Sequence, residues 1–393
     1  MTRLRRTDVT GPGITRRRRG RGFEYHDEGG EKIGDLETLE RIRELAIPPA
    51  WQDVWICPYP NGHIQAIGTD AAGRKQYRYH QKWREARDRI KFEKMAEFAR
   101  TLPDLREAAA RDLRKRGFPR ARVLACAVRL LDRGFFRIGG EEYAEENESF
   151  GLATMRKSHV SLGAEGVITF DYPAKSGKQQ VRSVVDPPVY RVVEALKRRR
   201  AGGPELLAYQ VDGAWFDVKS ADINAYIKEA TGGDFSAKDF RTWSGTVLAA
   251  VALGVSAPFT KTATARRRAV THAIKEVAYY LGNTPAVARA SYIDPRVFDR
   301  YLSGVTIGGA LEALGEGSDL GSPAFQGTIE EAVLDLVENG EGHALEKVAS
   351  AALSPRPLSR AWHRTWPFEP CWGSHARRSA RRASAQPATA SRT

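Results

Sequence analysis

The apolar positions of this chain change period along its length. Leu124, Val128, Leu131 and Phe135 recur at steps of four, three and four, the stripe of a helix with one buried face. From His159 to Val185 the period drops to two. Ile168, Phe170 and Tyr172 share one face, and Val181, Ser183 and Val185 share one face on the return. Pro173-Ala-Lys-Ser-Gly177 between them is turn chemistry, so a β-hairpin is expected with Lys175 at its tip. Helical patterning resumes at Tyr190, and Val270, Ile274, Val277 and Leu281 form a second stripe. Thr284-Pro285 then supplies an N-cap and a proline at the first helical position, and Tyr292 falls late in the short helix that follows.

The N-terminal part reads differently. Pro48 and Pro49 break any helix. Val54-Trp-Ile-Cys57 and His63-Ile-Gln-Ala-Ile67 are short strands separated by Pro-Asn-Gly. Gly73–Tyr79 interleaves basic and aromatic residues, and a highly charged helix is expected from about Lys82 to Thr101. Past Gly304 the pattern weakens. Gly315–Gly321 reads as a linker and Ile329–Val337 as one more helix. The expected fold class is α+β. It has a flexible basic arm at 1–22, a small mixed β domain at 23–95, and a larger, mainly α domain with the hairpin at 96–314. A linker with a helix follows at 315–353, then a disordered basic tail at 354–393.

Composition narrows the partners. The formal net charge of +14, with 41% hydrophobic residues, describes a chain with packed cores and a polyanionic partner. Nucleic acid is favoured over an anionic membrane surface, because no basic amphipathic helix or lipid signal is evident. The longest apolar run, around Val247–Val255, is too short to span a bilayer. The arginine-rich N-terminus has no hydrophobic stretch after it, so no secretory signal is read. Cys57, Cys126 and Cys371 are odd in number and far apart, with no Cys-x-x-Cys, which supports neither a disulfide framework nor a zinc knuckle. A protein of the cytoplasm is expected.

Four segments carry candidate chemistry: Phe136-Arg137-Ile-Gly, Ala174-Lys175-Ser-Gly-Lys178, Lys238-Asp-Phe-Arg241-Thr-Trp and Leu281-Gly-Asn283-Thr-Pro-Ala-Val-Ala-Arg-Ala-Ser-Tyr292. Each is short, but in this order and spacing they resemble the type IB DNA topoisomerases, in particular the bacterial form similar to the poxvirus enzyme. The resemblance runs from about Ile47 to about Tyr301. It implies a clamp around duplex DNA and an active site of Arg137, Lys175, Arg241, Asn283 and Tyr292. Breaking a phosphodiester with a protein nucleophile needs an attacking hydroxyl, donors for the non-bridging oxygens, an acid for the departing 5′-oxygen and in-line geometry. In the resemblance Tyr292 attacks, Arg137 and Arg241 clamp the phosphate with bidentate permanent charge, and Lys175 is the acid, with Lys178 its rival in the same turn. A lysine among arginines is expected to have a depressed pKa, which eases donation. Asn283 stands where the poxvirus form has histidine. It can donate one hydrogen bond but carries neither charge nor proton.

Other contacts with DNA are implied as well. Gln76 is placed to read a base edge, with Arg74, Tyr77, Tyr79, Tyr143, Lys178 and Lys238 on phosphates. No cofactor is expected, with magnesium stimulating without being required. The expected partner is duplex DNA, met by a monomer in the bacterial nucleoid, with no membrane. Two alternatives remain at this point. One is a tyrosine recombinase, which uses the same residue types but usually shows His-x-x-Arg and Leu-Gly-His where this chain has Lys238-x-x-Arg241 and Leu281-Gly-Asn283. The other is a noncatalytic DNA-binding protein.

Overall fold

The structure, a computed structural model, describes residues 3–315, 323–338 and 346–347. The tail at 354–393, Cys371 and most of the Gly315–Gly321 linker lie outside the described residues. Two compact units divide between Lys94 and Met95.

The first unit is an antiparallel sheet of strands β1 (Ile14–Arg19), β2 (Gly22–His26), β3 (Gln52–Ile56), β4 (Ile64–Thr69) and β5 (Lys75–Tyr79), in the order β2-β1-β3-β4-β5. Helix α1 (Leu36–Glu44), capped by Asp35 accepting from Thr38 N at 2.8 Å, covers one face. Ile14, Ile42, Val54, Ile56 and Ala66 form the core. The flexible arm expected at 1–22 is corrected here. The run Arg16–Arg19 is most of a strand, paired to β2 through Arg16↔Tyr25 and Arg17↔Glu24. Arg16 is held because its guanidinium donates to Pro48 O (3.1 Å) and Trp51 O (2.6 Å), and Arg19 pairs with Glu24 at 3.1 Å. A basic run reads as disordered only while its partners are unknown.

Helix α2 (Gln81–Leu113) begins in the first unit and ends in the second, running on past the Thr101 end expected from sequence and through Pro103. An interior proline costs roughly 3 kcal/mol. Leu102, Leu105 and Ala109 on the same helix are each no more than 1% exposed, and each buried leucine returns about 1.5–3 kcal/mol, so packing carries the helix through.

The second unit is mainly helical. Helix α3 (Arg120–Gly134) buries Leu124, Val128 and Leu131, as its stripe requires. After α4 (Glu141–Asn147) come β6 (Val160–Leu162), β7 (Val167–Ala174) and β8 (Lys178–Val185), an antiparallel sheet whose β7–β8 ladder pairs Ala174 with Lys178 at its tip. Next are α5 (Pro187–Arg198), the hairpin β9 (Ala208–Val211) and β10 (Ala214–Asp217), α6 (Ser220–Thr231), α7 (Ala237–Ser256) and α8 (Ala263–Leu281). Then follow α9 (Pro285–Ser291), α10 (Pro295–Leu302), β11 (Val305–Thr306), α11 (Gly308–Gly315) and α12 (Pro323–Glu338), which spans the Ile329–Val337 stretch read as helical.

The stretch Ala237–Phe259 is apolar and long enough, by those two criteria, to cross a membrane. It buries Phe240, Trp243, Ala249, Ala250 and Leu253 inside this unit as its central helix, packed on α8. An ion network locks the surrounding helices. Arg106 of α2 meets Asp132 of α3 at 2.8 Å and Glu330 of α12 at 2.5 Å, and Glu330 accepts from Trp243 Nε1 at 3.1 Å.

Candidate active site

Three chain ends meet on one side of the second unit: the end of α3, the tip of the β7–β8 hairpin and the end of α8. Helix α3 stops because Phe135 takes the left-handed conformation, with φ 55°. That geometry costs a non-glycine residue roughly 1–2 kcal/mol, but it turns the Phe135 carbonyl toward Arg241 Nη1, which donates to it at 2.5 Å. Two residues on, Arg137 faces the site. Its backbone carbonyl accepts from Leu152 N (2.8 Å), and Ser149 and Phe150 of the same loop bond the carbonyls of Ala174 (3.1 Å) and Pro173 (2.8 Å) on the hairpin. Gly139 (φ 84°) approaches Gly151 of this same loop, where a Cβ would sit 2.9 Å from the Gly151 Cα.

Helix α8 ends at Gly282, whose φ of 61° suits the residue that stops a helix, and Asn283 N closes the turn on Ala278 O at 2.9 Å. The last carbonyls of a helix have no partner inside it and carry its negative dipole end. Here Arg241 donates to Leu281 O at 2.6 Å and Arg137 to Gly282 O at 3.2 Å. Arg137 also bonds the Asn283 Oδ1. Thr284 then caps α9, and Tyr292 stands at the far end of that helix.

These elements enclose a pocket of ≈ 270 Å³ lined by Arg137, Gly139, Gly140, Lys175, Lys238, Arg241 and Tyr292, among others. The Arg241 guanidinium lies 5.3 Å from the Tyr292 ring centre. Burial opposes ionisation of the Tyr292 phenol, but the charges of Arg241 and Arg137, a hydrogen bond from Arg241 and the charge of Lys238 outweigh it and lower its pKa. Arg241 is 4% exposed, and burial together with repulsion from Arg137 brings it down to about 10, so it stays charged at neutral pH. Two buried donors belonging to this site, Arg241 Nε and Asn283 Nδ2, have no hydrogen-bond partner among the described residues. Because Asn283 Oδ1 accepts from Arg137, its amide NH₂ is the end left to donate. Unsatisfied buried donors are costly, and a phosphate oxygen would satisfy them.

The five residues from the sequence therefore converge. Lys175 is exposed and lines the pocket, while Lys178 lines only an adjoining cleft with Phe135, Tyr172 and Gln180. Lys238 is exposed in the first turn of α7, three residues before Arg241. Tyr143 lies on α4, and its side chain is outside the described ones. The remaining candidates belong to the first unit. Tyr77 and Tyr79 are 42% and 41% exposed and stack at 6.0 Å. Arg74 Nε (3.0 Å) and Gln76 Nε2 (2.9 Å) both donate to Asp70 Oδ2, so that carboxylate fixes their direction.

Sequence reading missed Gly245 and Arg182. A Cβ on Gly245 would stand 2.6 Å from the Tyr292 carbonyl and 3.3 Å from Leu281 Cδ1. Gly245→Ala is expected to displace Tyr292, slowing single-turnover adduct formation by about 10–100-fold, since a 1 Å misplacement costs that order. DNA affinity should stay within about threefold, because no phosphate contact is removed. Overpacking should also lower stability by roughly 1–3 kcal/mol. An unchanged cleavage rate would show that the helix absorbs the methyl elsewhere.

A phenol, two guanidiniums and a lysine lining one pocket are the groups that phosphoryl transfer onto tyrosine would need. The comparisons agree. Residues 80–303 match the family described as eukaryotic DNA topoisomerase I, catalytic core, and residues 22–70 match bacterial DNA topoisomerase IB, N-terminal domain. DNA topoisomerase 1B of Acanthamoeba polyphaga mimivirus is 33% identical over 298 residues, 74% of this chain and 87% of that one. DNA topoisomerase 1 beta of Arabidopsis thaliana is 24% identical over 161 residues, 41% of this chain and 16% of its own. DNA topoisomerase 1 of Schizosaccharomyces pombe is 28% identical over 159 residues, 40% of this chain and 18% of its own. The chain belongs to the type IB DNA topoisomerases.

Proposed function

We propose that this chain relaxes strained duplex DNA by opening and resealing one strand with Tyr292 as the nucleophile. The observation that carries the assignment is the meeting of Tyr292, Arg241, Arg137 and Lys175 around one pocket, with two unpartnered buried donors beside it. The Tyr292 oxygen attacks phosphorus, and its proton passes to water. The bond from phosphorus to the tyrosine oxygen forms as the bond to the 5′-oxygen breaks. The Lys175 ammonium gives its proton to that leaving oxygen. Arg137 and Arg241 neutralise the non-bridging oxygens, where charge builds in the transition state, and Asn283 Nδ2 adds one donor. The 3′-phosphotyrosyl link conserves the bond energy. The free end swivels, and the 5′-hydroxyl attacks back with the proton flow reversed. A single copy of the chain carries all five groups, which supports action as a monomer. The stacked Tyr77 and Tyr79 with Arg74 and Gln76 form the contact of the first unit with DNA, Gln76 facing base edges.

The test is relaxation of a supercoiled plasmid in excess EDTA without ATP, which is expected to go to completion. No Gly-x₄-Gly-Lys-Ser/Thr loop stands in the sequence, and among the described residues no three His, Cys, Asp or Glu side chains converge as metal ligands. Stimulation by magnesium is compatible with this, because cations screen DNA and speed product release. Loss of relaxation on chelation would mean that a metal is required. Relaxation only of plasmids carrying paired sites would indicate a recombinase.

A further inference from the structure

The β7–β8 hairpin holds a buried cation that the reaction so far leaves unused. Arg182 is 9% exposed and sits on the inward face of β8, directly across from Phe170. Among the described residues it makes no ion pair. Its Nη2 donates to Gln180 Oε1 (2.7 Å) on its own strand and to Tyr280 O (2.6 Å) at the end of α8. Burial pushes its pKa down, opposed only by the nearby phenols of Tyr172, Tyr279 and Tyr280. A buried guanidinium without a carboxylate is unfavourable unless its donors are satisfied by well-placed acceptors. Here one of those acceptors is the end of α8 and the other lies on the arginine's own strand.

Three successive carbonyls at that end each receive one arginine: Tyr280 O from Arg182, Leu281 O from Arg241 and Gly282 O from Arg137. Two of the three are the phosphate clamp. The third reaches from the strand that leads back to Lys175, and all three line one cleft with Lys175. Lys175 itself is exposed and forms no hydrogen bond or ion pair among the described residues, so its side chain is placed only by its backbone. That backbone is a tip between Ala174 and Lys178. A two-stranded tip moves unless its strands are anchored.

We propose that Arg182 is a positioning residue for Lys175. It ties the hairpin to the helix end that also holds Arg137, Arg241 and, through Asn283 and α9, Tyr292. It therefore sets where the lysine ammonium meets the leaving 5′-oxygen. Gln180 supports it, with its side-chain amide oxygen on Arg182 and its tip 3.1 Å from where a Cβ on Gly282 would be. The inference rests on the reading of Lys175 as the proton donor.

The experiment is single-turnover cleavage of a duplex with a mapped cleavage site, made with oxygen or with sulfur at the bridging 5′ position. A thiolate leaves without an acid, so sulfur removes the need for Lys175. Arg182→Ala is expected to cleave the oxygen substrate about 10–100-fold slower than wild type, the order for misplacing a catalytic group, and to recover most of that loss on sulfur. Arg182→Lys should recover part of the oxygen rate. The double variant Arg182→Ala, Lys175→Ala should be no slower than Lys175→Ala alone, because the two act through one group. Gln180→Ala, which keeps the buried charge, should show the same sulfur pattern more weakly and serves if Arg182→Ala does not fold, as judged by circular dichroism and thermal melting. An equal loss on both substrates with Lys175→Ala rescued by sulfur would overturn the tie alone, as would a wild-type rate. Failure of sulfur to rescue Lys175→Ala would overturn the reading of Lys175, and the tie with it.

Discussion

Tyr292→Phe is expected to abolish covalent attachment to DNA and all relaxation while leaving noncovalent binding nearly intact. In the proposed reaction the phenol oxygen is the atom that forms the bond to phosphorus, and phenylalanine offers no substitute. The rest of the pocket is unaffected by the change, because the ring that stands 5.3 Å from Arg241 is retained. Removing one hydroxyl removes one hydrogen bond, worth about 1 kcal/mol net, or at most about fivefold in affinity. The salt dependence of binding should not change at all. Its slope counts phosphates neutralised by lysine and arginine, and tyrosine neutralises none. Two measurements check this. Denaturing gels after incubation with labelled duplex should show no protein–DNA adduct, and binding isotherms at several salt concentrations should run parallel to wild type. An adduct in the variant would move the nucleophile to another residue. A changed slope would mean that the phosphate clamp had been disturbed.

The parts of the fold that could be read from sequence are those where apolar spacing alone decides the outcome. The stripes of α3 and α8 are buried as their periods require, with Val277 fully buried and Leu281 at 2%. The ends of those two helices deliver Arg137 and Asn283. The hairpin tip was legible from turn chemistry, and with it Lys175. On β8 the period was legible, but not which face is buried. Val181 and Val185 read as the strand's apolar face, yet they are 55% and 49% exposed, while Gln180, Arg182 and Val184 pair with the buried Tyr172, Phe170 and Ile168. A buried arginine is rare, and the helix-end carbonyl it donates to lies 98 residues away. No local pattern announces such a contact. The same reason hides β1: its arginines are satisfied by Pro48, Trp51 and Glu24, and a run of charge with unknown partners reads as an arm. Gly245 was illegible because its neighbour, the Tyr292 carbonyl, approaches only in three dimensions. Spacing thus picked out the groups that meet around the pocket, while the groups that place them depend on long-range hydrogen bonds.

Lys175→Ala should slow cleavage of an ordinary substrate by roughly 10²–10⁴-fold, the range for loss of a general acid. A substrate with a bridging 5′-sulfur should restore most of that loss, because the thiolate needs no proton to leave. The two lysines of the turn differ in place. Lys175 lines the pocket with Tyr292, Arg137 and Arg241, whereas Lys178 stands across the ladder from Ala174 and lines only the neighbouring cleft. Lys178→Ala should therefore lose no more than about tenfold, the share of a single phosphate contact, which is about 1.4 kcal/mol. It should show no preference for sulfur. Arg241→Ala supplies the contrast. In the proposed reaction its guanidinium serves the non-bridging oxygens, whose charge is the same with either leaving group, so a loss of about 10²–10³-fold should persist on sulfur. Religation gives a second readout. The step runs through the same transition state in reverse, so Lys175 must take the proton of the attacking 5′-hydroxyl. Lys175→Ala should slow cleavage and religation by similar factors, leaving the fraction of enzyme held as adduct nearly constant. If sulfur rescues Lys178→Ala and leaves Lys175→Ala dead, the acid is the other lysine of the hairpin. If sulfur rescues neither, the proton comes from elsewhere, and Arg137, which lines both the pocket and the cleft, becomes the group to test.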